Sequence, residues 1–92
     1  MSSYNIINGH RASENHDLLT GILRDEWGFD GMVSTAWWTR GEHYKEVKAG
    51  NDLKMASGYH ERLLAAVEAG VLTREEMGTC VKRILGVILR LD

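Results

Sequence analysis

Apolar residues recur at helical spacing in several stretches of this chain, and short uninterrupted apolar runs stand between them. Leu18, Leu19, Ile22, Leu23 and Trp27 return every three or four residues, which predicts an amphipathic helix over residues 16–27. Asn15 suits its N-cap, Gly28 its stop, and Trp27 belongs to its inner, core-facing side. A second helix is predicted over residues 42–49, with His43, Tyr44 and Val47 inward and Gly50 ending it. A third covers residues 59–69 with Leu63, Leu64 and Val67 on one face, stopped by Gly70. Thr73-Arg74-Glu75-Glu76 is a capping box that opens the last helix. The apolar stripe of that helix is Met77, Cys80, Val81, Ile84, Leu85, Ile88 and Leu91.

Between the helices, Ile6-Ile7 before the Asn8-Gly9 turn, the run 31–36, and the alternating 52–55 read as three short strands. Ala56-Ser57-Gly58 breaks the last of them. The order is β-α-β-α-β-α-α, which places the chain in the α/β class with parallel strands and crossover helices. Parallel strands are normally covered on both faces and flanked on both edges. Three strands alone leave a sheet face and two edges bare, so residues 1–92 read as one partial (β/α) barrel segment, completed by a larger barrel or by other copies.

Composition narrows the function. A hydrophobic content of 43% with 26% charged residues is that of an ordinary globular domain, and a net charge of −2 argues against a nucleic-acid surface. The pair of helices over 59–90 is not a DNA-reading helix-turn-helix either, because Glu75 and Glu76 would face phosphate. One cysteine cannot form an internal disulfide, which suits a reducing compartment. With no bilayer-length apolar run and no leader pattern at Met1, the expected location is the cytoplasm, with no membrane partner. His10, His16, His43 and His60 lack ligand spacing, so no metal and no cofactor is expected. Cys80 lies on an apolar stripe and reads as a packed thiol.

The most specific stretch is Glu26-Trp27-Gly28-Phe29-Asp30-Gly31, followed by an apolar run ending in Thr35-Ala36-Trp37-Trp38. It resembles the nucleophile strand of glycoside hydrolase family 3, the β-glucosidases and their relatives. Three further segments are similar to the family in the family's order. They are Ser3-Tyr4-Asn5 with Asn8-Gly9, then Lys48-Ala49-Gly50-Asn51-Asp52-Leu53 with Met55, then the region from Leu72 to Leu91. Asn15, Leu18-Leu19 and Leu23-Arg24 lead into the nucleophile strand in the same manner. Where family members often have proline after Met55, this chain has Ala56.

The resemblance implies the last third or so of a (β/α)₈-like barrel. Earlier strands and the second domain that supplies an acid/base carboxylate lie outside these residues. In the family, Ser/Thr-Asp-Trp ends the strand and its Asp is the nucleophile of a retaining mechanism. Here Ala36 takes that position, Trp37 matches a tryptophan lining the sugar subsite, and Tyr4 matches a nearby tyrosine. Retention needs two carboxyl groups about 5 to 5.5 Å apart, and a methyl cannot form the glycosyl bond.

No other acid replaces it easily. Asp30 sits at the start of the strand and so faces the opposite rim, Asp52 precedes its strand as a structural acceptor, and Glu42 lies beyond the tryptophan loop as the one acid that could reach the cleft. The expectation is therefore a chain that resembles part of a retaining β-glucosidase but is inactive alone, with at most weak affinity for a β-glucoside or sugar. The alternative is an assembly module that forms a homo-oligomer or complements another barrel fragment. Trp37, Trp38 and Tyr4 read equally as core or rim aromatics if the cleft is not there.

Overall fold

The computed structural model describes residues 1–56 and 58–91; Ser57, in the expected break after the third strand, lies outside them. Near the N-terminus, Asn8 (φ 51°) and Gly9 (φ 82°) both take positive φ, the signature of a two-residue turn that folds a chain back on itself. The Ile6–Ile7 strand (β1) accordingly pairs antiparallel with His10–Arg11 (β2), Ile6 opposite Arg11 and Ile7 opposite His10. This corrects the expectation of a parallel strand at Ile6-Ile7. The turn chemistry decides the direction of pairing before any crossover can.

Parallel pairing is present as two isolated bridges, Ser2 with Thr35 and Ser34 with Leu53. Ser2 donates its N–H to the Ser34 carbonyl at 2.9 Å and accepts from the Ala36 N–H at 3.1 Å, while Thr35 N–H reaches the Leu53 carbonyl at 2.9 Å. Three extended segments thus lie side by side with the 34–36 segment in the middle, although β1 and β2 form the two-stranded sheet.

A 3₁₀ turn over Ala12–Glu14 leads into a wide π-type helix, Asp17–Glu26. Its widening shows in the Trp27 N–H, which reaches back five residues to the Ile22 carbonyl at 2.9 Å. The Asn15 side chain accepts the Leu18 N–H at 3.1 Å, so the expected capping residue acts at the helix start. Helix α1 spans His43–Ala49, α2 His60–Glu68 and α3 Arg74–Arg90. Thr73 and Glu76 form the reciprocal capping box at the start of α3. Helix α1 is the hub, packing against the 3₁₀ turn, the π-type helix, α2 and α3.

The apolar core is small. Leu19, Val33 and Ala49 form its centre, with Leu18 and Leu23 against them, and polar side chains complete the interior. Asn51 accepts from Ser2 Oγ (2.7 Å) and donates to the carbonyls of Ser13 (2.6 Å) and Glu46 (3.0 Å). The Asp52 side chain is fully buried and accepts from Arg24 Nη2 at 2.8 Å, Arg83 Nη1 at 3.2 Å and the Val33 N–H at 2.9 Å. Every oxygen is used, which is the condition for keeping a charge inside. Gly50 (φ 122°) lets the chain pass beside this cluster, since a Cβ there would lie 2.6 Å from Arg24 Nη1.

Two expectations about packing fail for one reason. Trp27 is 73% exposed instead of sitting in the core, and of the α3 stripe Cys80 alone is buried while Val81, Leu85, Ile88 and Leu91 face solvent. Helical periodicity says which residues share a face, but a face is buried only if something lies opposite it. Within these residues nothing packs over those faces.

Candidate functional site

The middle extended segment sets the geometry. Its backbone is held on one side by Ser2 and on the other by Leu53, and the Thr35 hydroxyl accepts the Met55 N–H at 3.0 Å. Ala36, the expected nucleophile position, is buried beside it, and its side chain is a methyl with no lone pair and no proton to give. Immediately after, the chain turns outward. Trp37 and Trp38 are 55% and 67% exposed, and Trp38 has φ 57°, a conformation that a bulky side chain adopts only when its surroundings impose it.

Two contacts flank it here. The Tyr4 hydroxyl donates to the Trp37 carbonyl, tying the N-terminal segment to the loop. On the other side of Trp38, the buried Thr39 hydroxyl accepts from Lys54 Nζ at 2.9 Å, and Lys54 is itself locked to Glu46 Oε1 at 2.6 Å. Tyr4, Arg11, Trp37, Trp38 and Arg40 line a hollow of about 370 Å³. The structure thus brings Trp37 and Tyr4 to one cavity, and it leaves Ala36 outside the lining.

No carboxylate lines that hollow among the described residues. Asp30 is exposed and meets Arg90 at 3.1 Å, Asp52 is consumed by its two arginines, and the backbone N–H of Glu42 donates to Glu14 Oε2 at 2.7 Å. Glu46, which the sequence reading passed over, is the one buried acid near the loop, and it is engaged by Lys54. A larger hollow of 610 Å³ bordered by His10, Glu14, His16, Tyr44, Lys48 and Glu76 shares no residue with it. Its Lys48 and Glu76 already pair with each other at 3.0 Å. Among the described residues there is no cluster of three His, Cys, Asp or Glu that could hold a metal ion. Nor is any helix of those residues long and apolar enough to cross a membrane.

Arg11, Arg40, Lys54 and Glu46 were not singled out from the sequence. Arg40 stands two residues after Trp38, which is the only local signal for it, and Arg11 reaches the site through the β1–β2 turn. Lys54 and Glu46 are eight residues apart in the chain and meet only because α1 lies against the 52–55 segment.

Comparison with known proteins agrees along nearly the whole length. Residues 1–87 match the glycosyl hydrolase family 3 N terminal domain. The chain is 64% identical over 74 residues to beta-glucosidase A of Butyrivibrio fibrisolvens, covering 80% of this chain and 9% of that protein. It is 42% identical over 93 residues to a beta-glucosidase of Rhizobium radiobacter, covering 98% of this chain and 11% of that protein. A solved beta-glucosidase 3B of Thermotoga neapolitana in complex with alpha-D-glucose superposes with a TM-score of 0.87 at 36% identity, covering 94% of this chain and 13% of that one. A relative 36% identical over 89 residues is an exo-alpha-(1->6)-L-arabinopyranosidase of Bifidobacterium longum, so similarity of this order does not fix one sugar. The chain spans about a tenth of the length of these curated relatives. With the family's N-terminal domain matched over residues 1–87, the chain belongs to glycosyl hydrolase family 3.

Proposed function

We propose that these residues form one wedge of a β-glucosidase-type barrel in which the attacking acid is replaced by Ala36. In a retaining hydrolase one carboxylate attacks the anomeric carbon while a second carboxyl group protonates the departing oxygen, and water later reverses the exchange. A methyl supplies no electron pair to form the glycosyl ester. Loss of such a nucleophile removes several orders of magnitude in rate. Trp37 and Tyr4 keep the other half of the role, offering an indole face and a phenol whose oxygen, while its proton goes to the Trp37 carbonyl, can still accept from a sugar hydroxyl.

The observation that supports this most directly is the 34–36 segment, bridged in parallel on both sides and ending at exposed Trp37. That is the arrangement by which a barrel strand delivers residues to its carboxyl rim. Assay of the isolated chain against an aryl β-glucoside tests the reading. No hydrolysis above the enzyme-free blank is expected, and clear turnover would overturn it. Cytoplasmic residence is part of the same proposal, since the single free Cys80 suits a reducing compartment.

A second role in assembly is favoured by the solvent-facing Val81, Leu85, Ile88 and Leu89 of α3, together with Trp27 and Phe29. Apolar faces of this kind associate. Sedimentation is expected to show self-association, or capture of a complementary barrel fragment. A compact monomer that binds no such fragment would refute this second role.

A further inference from the structure

The geometry points to an acidic sugar, one carrying a carboxylate or a phosphate, as the ligand of the hollow formed by Tyr4, Arg11, Trp37, Trp38 and Arg40. This rests on the sugar-binding reading of Trp37 and Tyr4 and adds the charge of the ligand to it.

The other arginines that meet a carboxylate show what these two lack. Arg24 and Arg83 share Asp52, and Arg90 holds Asp30. Arg11 and Arg40 pair with no carboxylate among the described residues, yet both border the same hollow. The acids nearest to them in sequence, Glu14 after Arg11 and Glu42 after Arg40, do not line the hollow, and Glu14 accepts the Glu42 backbone N–H at 2.7 Å. In a chain of net charge −2, this places two guanidinium groups around a space without a counter-charge on its wall. Guanidinium forks fit the two oxygens of a carboxylate or phosphate in a way that a neutral hydroxyl does not reproduce.

The remaining lining fits the rest of a sugar. Two exposed indoles and a phenol offer flat apolar faces to pyranose C–H groups, while the volume of 370 Å³ lies within the usual range for a small-molecule site. The wall is also set in advance. The backbone of Trp38, at positive φ, lies between the Tyr4–Trp37 and Lys54–Thr39 contacts, which fix where the loop leaves the 34–36 segment.

Tryptophan emission of the full chain, in a Trp27→Phe background so that only Trp37 and Trp38 report, tests this with four probes. They are glucose, glucuronate, glucose 6-phosphate and inorganic phosphate alone. The expected result is quenching by glucuronate, by glucose 6-phosphate or by both at concentrations about tenfold below those needed for glucose. Arg11→Gln and Arg40→Gln are expected to erase that advantage, so that the acidic sugars quench only at the concentrations glucose needs in the same variant. Raising ionic strength from about 0.01 M to about 1 M, where the screening length falls from about 30 Å to about 3 Å, is expected to erase it without any substitution.

Which acidic sugar quenches separates a carboxylate from a phosphate ligand. Equal response to glucose and the acidic sugars overturns the inference while leaving the sugar site standing. A preference that survives both arginine substitutions or high salt also overturns it, as does inorganic phosphate matching glucose 6-phosphate. Silence to every sugar removes the sugar-binding reading itself.

Discussion

The Lys54 ammonium lies 2.6 Å from a Glu46 carboxylate oxygen with both side chains almost wholly out of water. The pair sits under the tryptophan loop, because the same ammonium also reaches the Thr39 hydroxyl at 2.9 Å. Among the described residues Glu46 Oε2 has no hydrogen-bond partner, so the carboxylate depends on Lys54 for most of its compensation.

Lys54→Met should therefore cost about 3–5 kcal/mol, because it strands a buried charge. Against a total stability on the order of 5–15 kcal/mol, that moves the urea midpoint far or unfolds the chain. Lys54→Met combined with Glu46→Leu should recover a large part of the loss. A single Lys54→Met variant with an unchanged midpoint would contradict the role given to the pair.

Stability should fall as the solution is acidified through the histidine range, and His43 should account for part of the fall. Burial, and then the nearby Lys54 charge, hold its imidazole below the ordinary value of 6.5, against the opposing pull of Glu46. Its Nδ1 accepts the Tyr59 N–H at 3.3 Å, which an imidazolium cannot do. Because the unfolded chain takes up the proton first, stability contributed by neutral His43 is present above about pH 6.5 and is lost as pH drops toward the lowered folded value. Urea midpoints from about pH 7.5 to about pH 5 should slope less in His43→Asn, whose carbonyl oxygen can replace Nδ1 as acceptor. Identical slopes would discount His43.

Cys80 should be a slow thiol. Burial, followed by the adjacent Asp52, pushes it up to about 11, with Arg83 and Arg24 pulling weakly the other way. Its Sγ–H meets the Asn51 carbonyl at 3.4 Å. At pH 8, iodoacetamide labelling of the native chain should run about 100-fold or more below that of the urea-unfolded chain. Equal rates would place the thiol in solvent.

The start of α3 offers a graded comparison. Thr73→Ala removes the side chain that accepts the Glu76 N–H and should cost about 1 kcal/mol. Lys48→Ala removes an ion pair to the same Glu76 whose two side chains remain 44% and 31% exposed, and should cost about 0.2–1 kcal/mol. Urea midpoints in the reverse order would mean that the surface charge, not the cap, starts the helix.

The helices were readable because their signals are local. Thr73 and Glu76 are three residues apart and need only each other, and Asn15 needs only the N–H of Leu18. What the pattern missed depended on distant partners. Asn8-Gly9 was correctly read as a turn, but its two positive φ angles send β2 back along β1, so the first strand does not continue into a parallel ladder.

The pattern turned His43, Tyr44 and Val47 inward on α1, and they are half-buried, while the fully buried residues there are Glu46 and Ala49. An acid enters the interior only because Lys54 waits for it. The π-type winding before Trp27 also shifts that residue off the regular helical template, and it emerges 73% exposed among the described residues. At the site, Trp37 and Tyr4 were visible as aromatics, while the arginines beside them were ordinary charges until the fold assembled them around one hollow.

Asp52 acts as a buckle between pieces that the chain itself separates widely. One carboxylate grips Arg24 from the π-type helix and Arg83 from α3, residues 28 and 31 positions away. Of these grips only that of Arg83 spans the stretch between residues 54 and 58, so Arg83→Ala should loosen α3 from the rest of the chain while leaving the Arg24–Asp52 contact in place. One carboxylate thereby serves as an anchor for a helix residue that the chain reaches only 31 positions later.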